Sequence, residues 1–185
     1  MLNELLKSLS KSLIKNNIPY MIIGGQAALL YREPRFTNDI DITLGIGIEE
    51  VHKLFNLCKE IELMILVDNP DDFILQTMVL PTYDNLSNLK IDFIFSSTLY
   101  EHEAISRANI ITLDGTDIYF CSLEDIIILK IFAGRPRDIE DVGVIIRKNP
   151  NYNRQFILKN LDELGKAVDI DLISRLLNIG KSEHK

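Results

Sequence analysis

Cysteine is scarce in this chain of 185 residues: only Cys58 and Cys121 occur, far apart and in no C-x-x-C spacing. That excludes a disulfide framework and a zinc knuckle, and it suits a reducing compartment. The three histidines, His52, His102 and His184, are scattered, and none belongs to an H-E-x-x-H arrangement. A His-ligated metal is therefore not expected. No apolar run reaches the length of a membrane span, and there is no internal repeat or low-complexity linker. With a net charge of −7, non-specific wrapping of nucleic acid is also disfavoured. The expectation is a soluble, cytoplasmic protein with no membrane partner.

The chain does have enough apolar residues for a core: 46% are hydrophobic and 25% charged. Leu2, Leu5, Leu6, Leu9 and Leu13 recur at helical spacing, and lysines interrupt the run, so the N-terminal stretch reads as a packing helix rather than a signal peptide. Charge is unevenly spread. Residues 1–121 hold 9 Lys and Arg against 17 Asp and Glu, while residues 122–185 hold 11 against 10. The acidic part alternates short strand patterns with helical ones: YMII, DIDITL, LMILV and LKIDFIF read as strands, with QAALLYR and IEEVHKLFNLCKEI as helices. NIITL and DIYFC flank Asp114-Gly115, a hairpin signal. The stretch from Asp68 to Asn88 is ambiguous between helix and loop, followed by a strand. From Ser122, a helix cap with Asp125 three residues on, the pattern is helical. This is an α+β chain: a sheet-bearing core over 1–121 and a helical C-terminal region over 122–185 packed on it.

Within DIDITL, Asp39 and Asp41 are two residues apart and project from the same side of a strand, with Ile40 and Ile42 on the other. Like charges so placed repel and are costly to bury unless something positive compensates. Carboxylate oxygens suit Mg²⁺ or Mn²⁺ rather than Zn²⁺. Asp92 repeats the oddity: Ile91, Phe93 and Phe95 share one face of their strand and Asp92 lies on the other. The bland reading of Asp92 is an edge-strand acid facing water. Upstream, Gly24-Gly25 joins a strand to a helical pattern, where backbone N–H groups could receive phosphate, although no G-x-x-x-x-G-K-[ST] motif is present. Lys130 interrupts the apolar helix run IIILKIFA, either as a functional cation or as a lysine snorkelling from the helix edge. Arg32 and Arg35 are candidates for phosphate or RNA contacts, or solvated loop charges. Arg135, Arg137, Asp138 and Asp141 form a cluster at a helix start, where acids are also ordinary capping residues.

The run GGQAALLYREPRFTNDIDI, with KIDFIF later, resembles the polymerase-beta-like nucleotidyltransferase superfamily: Gly-Gly or Gly-Ser, a helical spacer, Asp-x-Asp, and a third Asp on a later strand. SLEDIIILKIFAGRPRDIEDV looks like the helical segment of the AbiEii-type, toxin-like branch. The resemblance covers residues 18–145 in discontinuous blocks. It implies a mixed β-sheet flanked by helices with a helical C-terminal part. It also implies that Gly24 and Gly25, with Gln26 in or beside the serine position of Gly-Ser, hold the phosphates of a nucleoside triphosphate. Asp39, Asp41 and Asp92 would bind Mg²⁺ or Mn²⁺, and Asp92 would help activate an acceptor hydroxyl. Lys130 would reach a phosphate and Asp138 would orient it or another basic group.

The implied activity is transfer of a nucleoside monophosphate from NTP to a hydroxyl. RNA, transfer RNA above all, is the favoured acceptor, and the protein would be a toxin with an antitoxin partner. Protein or aminoglycoside acceptors are the alternatives within the superfamily. The rivals of a different class are a catalytically inactive nucleotide- or partner-binding module, that is, a degenerate nucleotidyltransferase fold, and an interaction protein whose acidic strand face is salt-bridged.

Overall fold

A computed structural model describes residues 1–34 and 36–179. Arg35 and His184 lie outside the described residues. The chain falls into two compact units: Met1–Gln26 with Phe36–Cys121, and Ala27–Arg35 with Ser122–Lys185.

The first unit is built on a seven-stranded mixed sheet. Its strands are β1 (Tyr20–Ile23), β2 (Asp39–Leu44), β3 (Met64–Ile65), β4 (Val79–Asp84), β5 (Leu89–Phe95), β6 (Asn109–Leu113) and β7 (Thr116–Phe120), in spatial order β3-β4-β5-β2-β1-β7-β6. β2 pairs antiparallel with β1 and parallel with β5. Helices α1 (Leu2–Lys15), α3 (Val51–Glu60), α4 (Pro70–Thr77) and α5 (Leu99–Ser106) complete the unit, and the short α2 (Gly24–Ala28) follows β1 directly. Three of these helices contact the sheet, α1 on β7, α4 on β4 and α5 on β2. Ile40, Ile42, Ile91 and Phe93 are fully buried on one face of the central strands, and Leu9, Leu13, Leu54 and Leu57 on the helices are buried as well. That alternation is what holds the acids of β2 and β5 on the opposite face.

Local chemistry accounts for the element ends. Asp114 and Gly115 both take positive φ in the two-residue β6–β7 turn, the geometry that matches the twist of a hairpin. Thr98 and Glu101 close a reciprocal capping box on α5. The ambiguous stretch resolves into both alternatives, α4 and then β4, with Met78 in the left-handed region between them. Two elements are shorter than their patterns. LMILV gives only Met64–Ile65 as strand. The QAALLYR helix begins at the glycines and ends at Ala28, after which Leu30 and Tyr31 donate to the carbonyls of Ala27 and Ala28 in tight turns.

The second unit holds α6 (Leu123–Ala133), α7 (Pro136–Lys148), α8 (Arg154–Val168) and α9 (Leu172–Leu177). Ser122 Oγ accepts from Asp125 N at 3.1 Å and donates to the Asp125 carboxylate at 2.6 Å, a cap worth about 1 kcal/mol. At the other end of α6, Arg175 of α9 donates to the carbonyls of Ile131 (2.7 Å) and Phe132 (3.1 Å). Those are carbonyls that the helix end leaves without intrahelical partners. Among the described residues, no helix is long and apolar enough to cross a membrane.

Candidate active site

The parallel register of β2 and β5 sets Asp39 opposite Lys90 and Asp41 opposite Asp92. Partners in a parallel ladder share a face, so Asp39, Asp41, Lys90 and Asp92 all project to one side of the sheet, on strands about 4.8 Å apart. Asp92 therefore points to the same side as the Asp39/Asp41 pair. Exposure falls from Asp39, which faces solvent, to Asp41 and Asp92, which are half-buried.

The glycines close the other side. Ile23, the last residue of β1, is the register partner of Asp41, so the turn into α2 begins beside that carboxylate. Gly24 has φ +65°, a conformation that glycine enters without steric cost. A methyl group on Gly24 would stand 2.9 Å from Asp41 Cγ and nearer still to its carboxylate oxygen. Asp41 thus lies directly against the glycine turn, with no apolar side chain between. The glycine is required by this close approach. Helix polarity adds little, because α2 is only five residues long. Gly25 and Gln26 are buried immediately after it.

Each outer acid has a local partner. Thr37 Oγ1 donates to Asp39 Oδ1 at 2.6 Å, and Lys90 Nζ donates to Asp92 Oδ2 at 2.8 Å. The second oxygen of Asp92, Oδ1, is buried and has no hydrogen-bond partner. On the β4 side the residue opposite Asp92 is Pro81, which carries no N–H to offer it. A buried carboxylate oxygen left this way costs about 1–3 kcal/mol unless something completes it. Three acids on one face, one with an orphaned oxygen, fit a hard divalent cation by donor type. Among the described residues, however, no three acids, histidines or cysteines stand together in a metal-ligating arrangement. The set is assembled on one face but not closed around a common point.

Lys130 and Asp138 belong to the second unit, and the fold brings them together. Lys130, on α6, is buried and donates to Asp138 Oδ1 at 2.8 Å and to Asp141 Oδ2 at 2.7 Å, both on α7. Arg32 pairs with the other oxygen of Asp141, and Arg135 with that of Asp138 at 2.6 Å. Two acids and three bases form a chain in which every buried charge is answered, the condition for tolerating them in a core. Burial pushes the pKa of Asp138 up, but hydrogen bonds from Arg135 and Lys130 outweigh it and hold the carboxyl below its ordinary value. Arg32 also anchors the Ala27–Arg35 segment to α7, together with a 2.8 Å bond from Asn149 Nδ2 to the Tyr31 carbonyl. Lys130 is thus neither snorkelling nor solvated.

Sequence reasoning singled out neither Lys90 nor Thr37, and it gave Asp141 no role. Lys90 carried a signal all the same, since it lies two residues before Asp92 and so on its face.

A mixed sheet carrying Asp-x-Asp on one strand, a third Asp in register on the next and a glycine turn against them is the nucleotidyltransferase fold, and the solved structures agree. An antigenic nucleotidyltransferase-like protein from Paracoccidioides brasiliensis superposes with a TM-score of 0.54 at 20% identity, covering 95% of this chain and 91% of its own. The antibiotic-resistance factor ANT(2″)-Ia, in complex with adenylyl-2″-tobramycin, gives a TM-score of 0.53 at 17% identity, covering 79% and 88%. The chain belongs to the family described as nucleotidyltransferase of unknown function (DUF6036), whose model matches residues 1–148. No curated protein matches it.

Proposed function

We propose that this protein is a divalent-metal-dependent nucleotidyltransferase that moves a nucleoside monophosphate from an NTP to an acceptor hydroxyl. The observation that carries the reading is the register of Asp41 with Asp92, beside a glycine that Asp41 itself makes necessary. Asp39, Asp41 and Asp92 would hold Mg²⁺ or Mn²⁺, which supplies neutralisation of the phosphate charge when bound. Family membership and the orphaned Asp92 oxygen favour this over a salt-bridged acidic face, on which added metal would not change thermal stability.

The acceptor hydroxyl attacks the α-phosphorus. The new O–P bond forms as the bond to pyrophosphate breaks, and the hydroxyl proton passes to the carboxylate of Asp92. The turn at Gly24, Gly25 and Gln26 seats the triphosphate through backbone N–H groups. Within its own helical unit, Lys130 is the cation we assign to a phosphate, and Asp138, with Asp141, sets the position of its head. Positioning and charge neutralisation carry most of the rate in such transfers.

RNA, with transfer RNA first, is the acceptor we favour, in a toxin of the AbiEii type that an antitoxin neutralises. The buried thiols of Cys58 and Cys121 suit a cytoplasmic setting. An aminoglycoside acceptor is the second reading, favoured by the fold shared with ANT(2″)-Ia bound to adenylyl-2″-tobramycin. Incubation with α-labelled NTPs and total RNA, protein extract or aminoglycosides distinguishes these. Label in RNA supports the first reading and label in the aminoglycoside the second, whereas label in none contradicts a transferase. Calorimetry of NTP binding with and without Mg²⁺ addresses the inactive-module alternative, which requires binding without turnover.

A further inference from the structure

The acidic face already carries a cation of its own. Lys90 lies on the same face of β5 as Asp92 and directly across from Asp39. Its ammonium is 2.8 Å from Asp92 Oδ2, and its side chain is 46% exposed, so the head can leave for water without dragging a packed stem through the core. Asp92 is held by one oxygen only, and Oδ1 is buried with no partner. The carboxylate's charge is answered, but one of its two oxygens is not hydrogen-bonded. With Asp92 Oδ2 drawn to Lys90 and Asp39 Oδ1 to Thr37, the acids do not converge on a common point.

We propose that Lys90 is a resident placeholder for the divalent cation: it neutralises Asp92 in the metal-free protein and is expelled when metal binds, so that metal affinity is set partly by the strength of the Lys90–Asp92 pair. The inference rests on the metal-binding reading of Asp39, Asp41 and Asp92, and adds to it a group that competes for the site. A lysine head and a divalent ion compete for the same carboxylate oxygen, and a doubly charged ion that can also take the orphaned Oδ1 wins once its concentration is high enough. A pair whose lysine side chain is 46% exposed is held weakly enough to be displaced.

The test uses the full chain, selectively labelled at lysine Nζ and aspartate Cγ, titrated with Mg²⁺ and followed by NMR. Movement of the Asp41 and Asp92 carboxyl signals reports metal binding. Loss of the ion-paired Lys90 ammonium signal over the same Mg²⁺ range reports the displacement. Lys7, which pairs with Asp114 and Glu4, serves as an internal reference that should not move. The companion measurement is Mn²⁺ affinity by electron paramagnetic resonance. Lys90→Met should bind about fivefold more tightly than wild type, and Lys90→Arg should stay near wild type.

Carboxyl signals that move while the Lys90 signal persists at saturation would overturn the placeholder and leave the metal reading intact. So would Lys90→Met binding Mn²⁺ no better than wild type. Carboxyl signals that never move would overturn both.

Discussion

Asp41 occupies the space that a side chain on Gly24 would need. The two come from neighbouring strands, β2 and the end of β1, and the antiparallel register that pairs Ile23 with Asp41 brings them together. The relationship ties a backbone conformation to a carboxylate's position, so the glycine can be tested through the acid.

Gly24→Ala should be more damaging than its backbone alone explains. The left-handed conformation costs an L-residue about 1–2 kcal/mol, and displacing Asp41 adds an overpacking cost of about 1–3 kcal/mol. Gly115→Ala is the matched control: φ there is +76° and a methyl group meets nothing within 4 Å. Thermal melts should show the larger loss for Gly24→Ala, and only that variant should also weaken Mn²⁺ binding.

Removing the lysine from the buried charge chain should destabilise the helical unit. Lys130→Met removes the cation that Asp138 and Asp141 share, while Arg135 and Arg32 stay paired with them. Breaking a buried pair from one side costs about 3–5 kcal/mol, and the two remaining arginines should keep this case near the lower figure. Urea denaturation of the variant against wild type measures it.

Acid should act through Asp138. Its folded pKa lies below the ordinary 3.8, so its contribution is fully present above that value and is lost as pH falls through the lower, folded pKa. Melting temperatures of wild type should therefore fall as pH drops below about 4. Asp138→Asn should be less stable than wild type at pH 7 and should show a shallower fall on the acid side. Parallel curves would contradict this role.

Much of this was legible in the chain itself. The period-two placement of Asp39 with Asp41, and of Asp92 opposite Ile91 and Phe93, follows directly from strand geometry, and the Asp114-Gly115 turn and the Ser122 helix cap follow from local residue chemistry. What one sequence does not encode is which strands pair and in what register, because pairing depends on residues distant along the chain. That Asp41 faces Asp92, and that Asp141 joins Lys130 to Arg32, therefore emerged only in three dimensions. Leu29, Leu30 and Tyr31 extend an apolar pattern past the end of α2, where the chain turns and Arg32 and the Tyr31 carbonyl are held by α7 instead. Tertiary contacts override local propensity there.

The buried thiol gives a further check on packing. Burial pushes the pKa of Cys58 up to about 12. It should stay unreactive toward a thiol reagent at pH 8 in the folded protein and react fully once the chain is unfolded in guanidinium. Rapid labelling of the native protein at Cys58 would contradict the packing of α3.

The most direct measurement of the central claim is transfer of label from α-labelled NTP to total RNA, protein extract or aminoglycoside in the presence of Mg²⁺, comparing wild type with Asp41→Asn. Asn matches Asp in shape but lacks its charge, so the variant should melt close to wild type. The expected result is label in one acceptor class with wild type and none with the variant. Equal labelling by a folded Asp41→Asn protein would contradict the assignment of this acidic face as the centre of transfer.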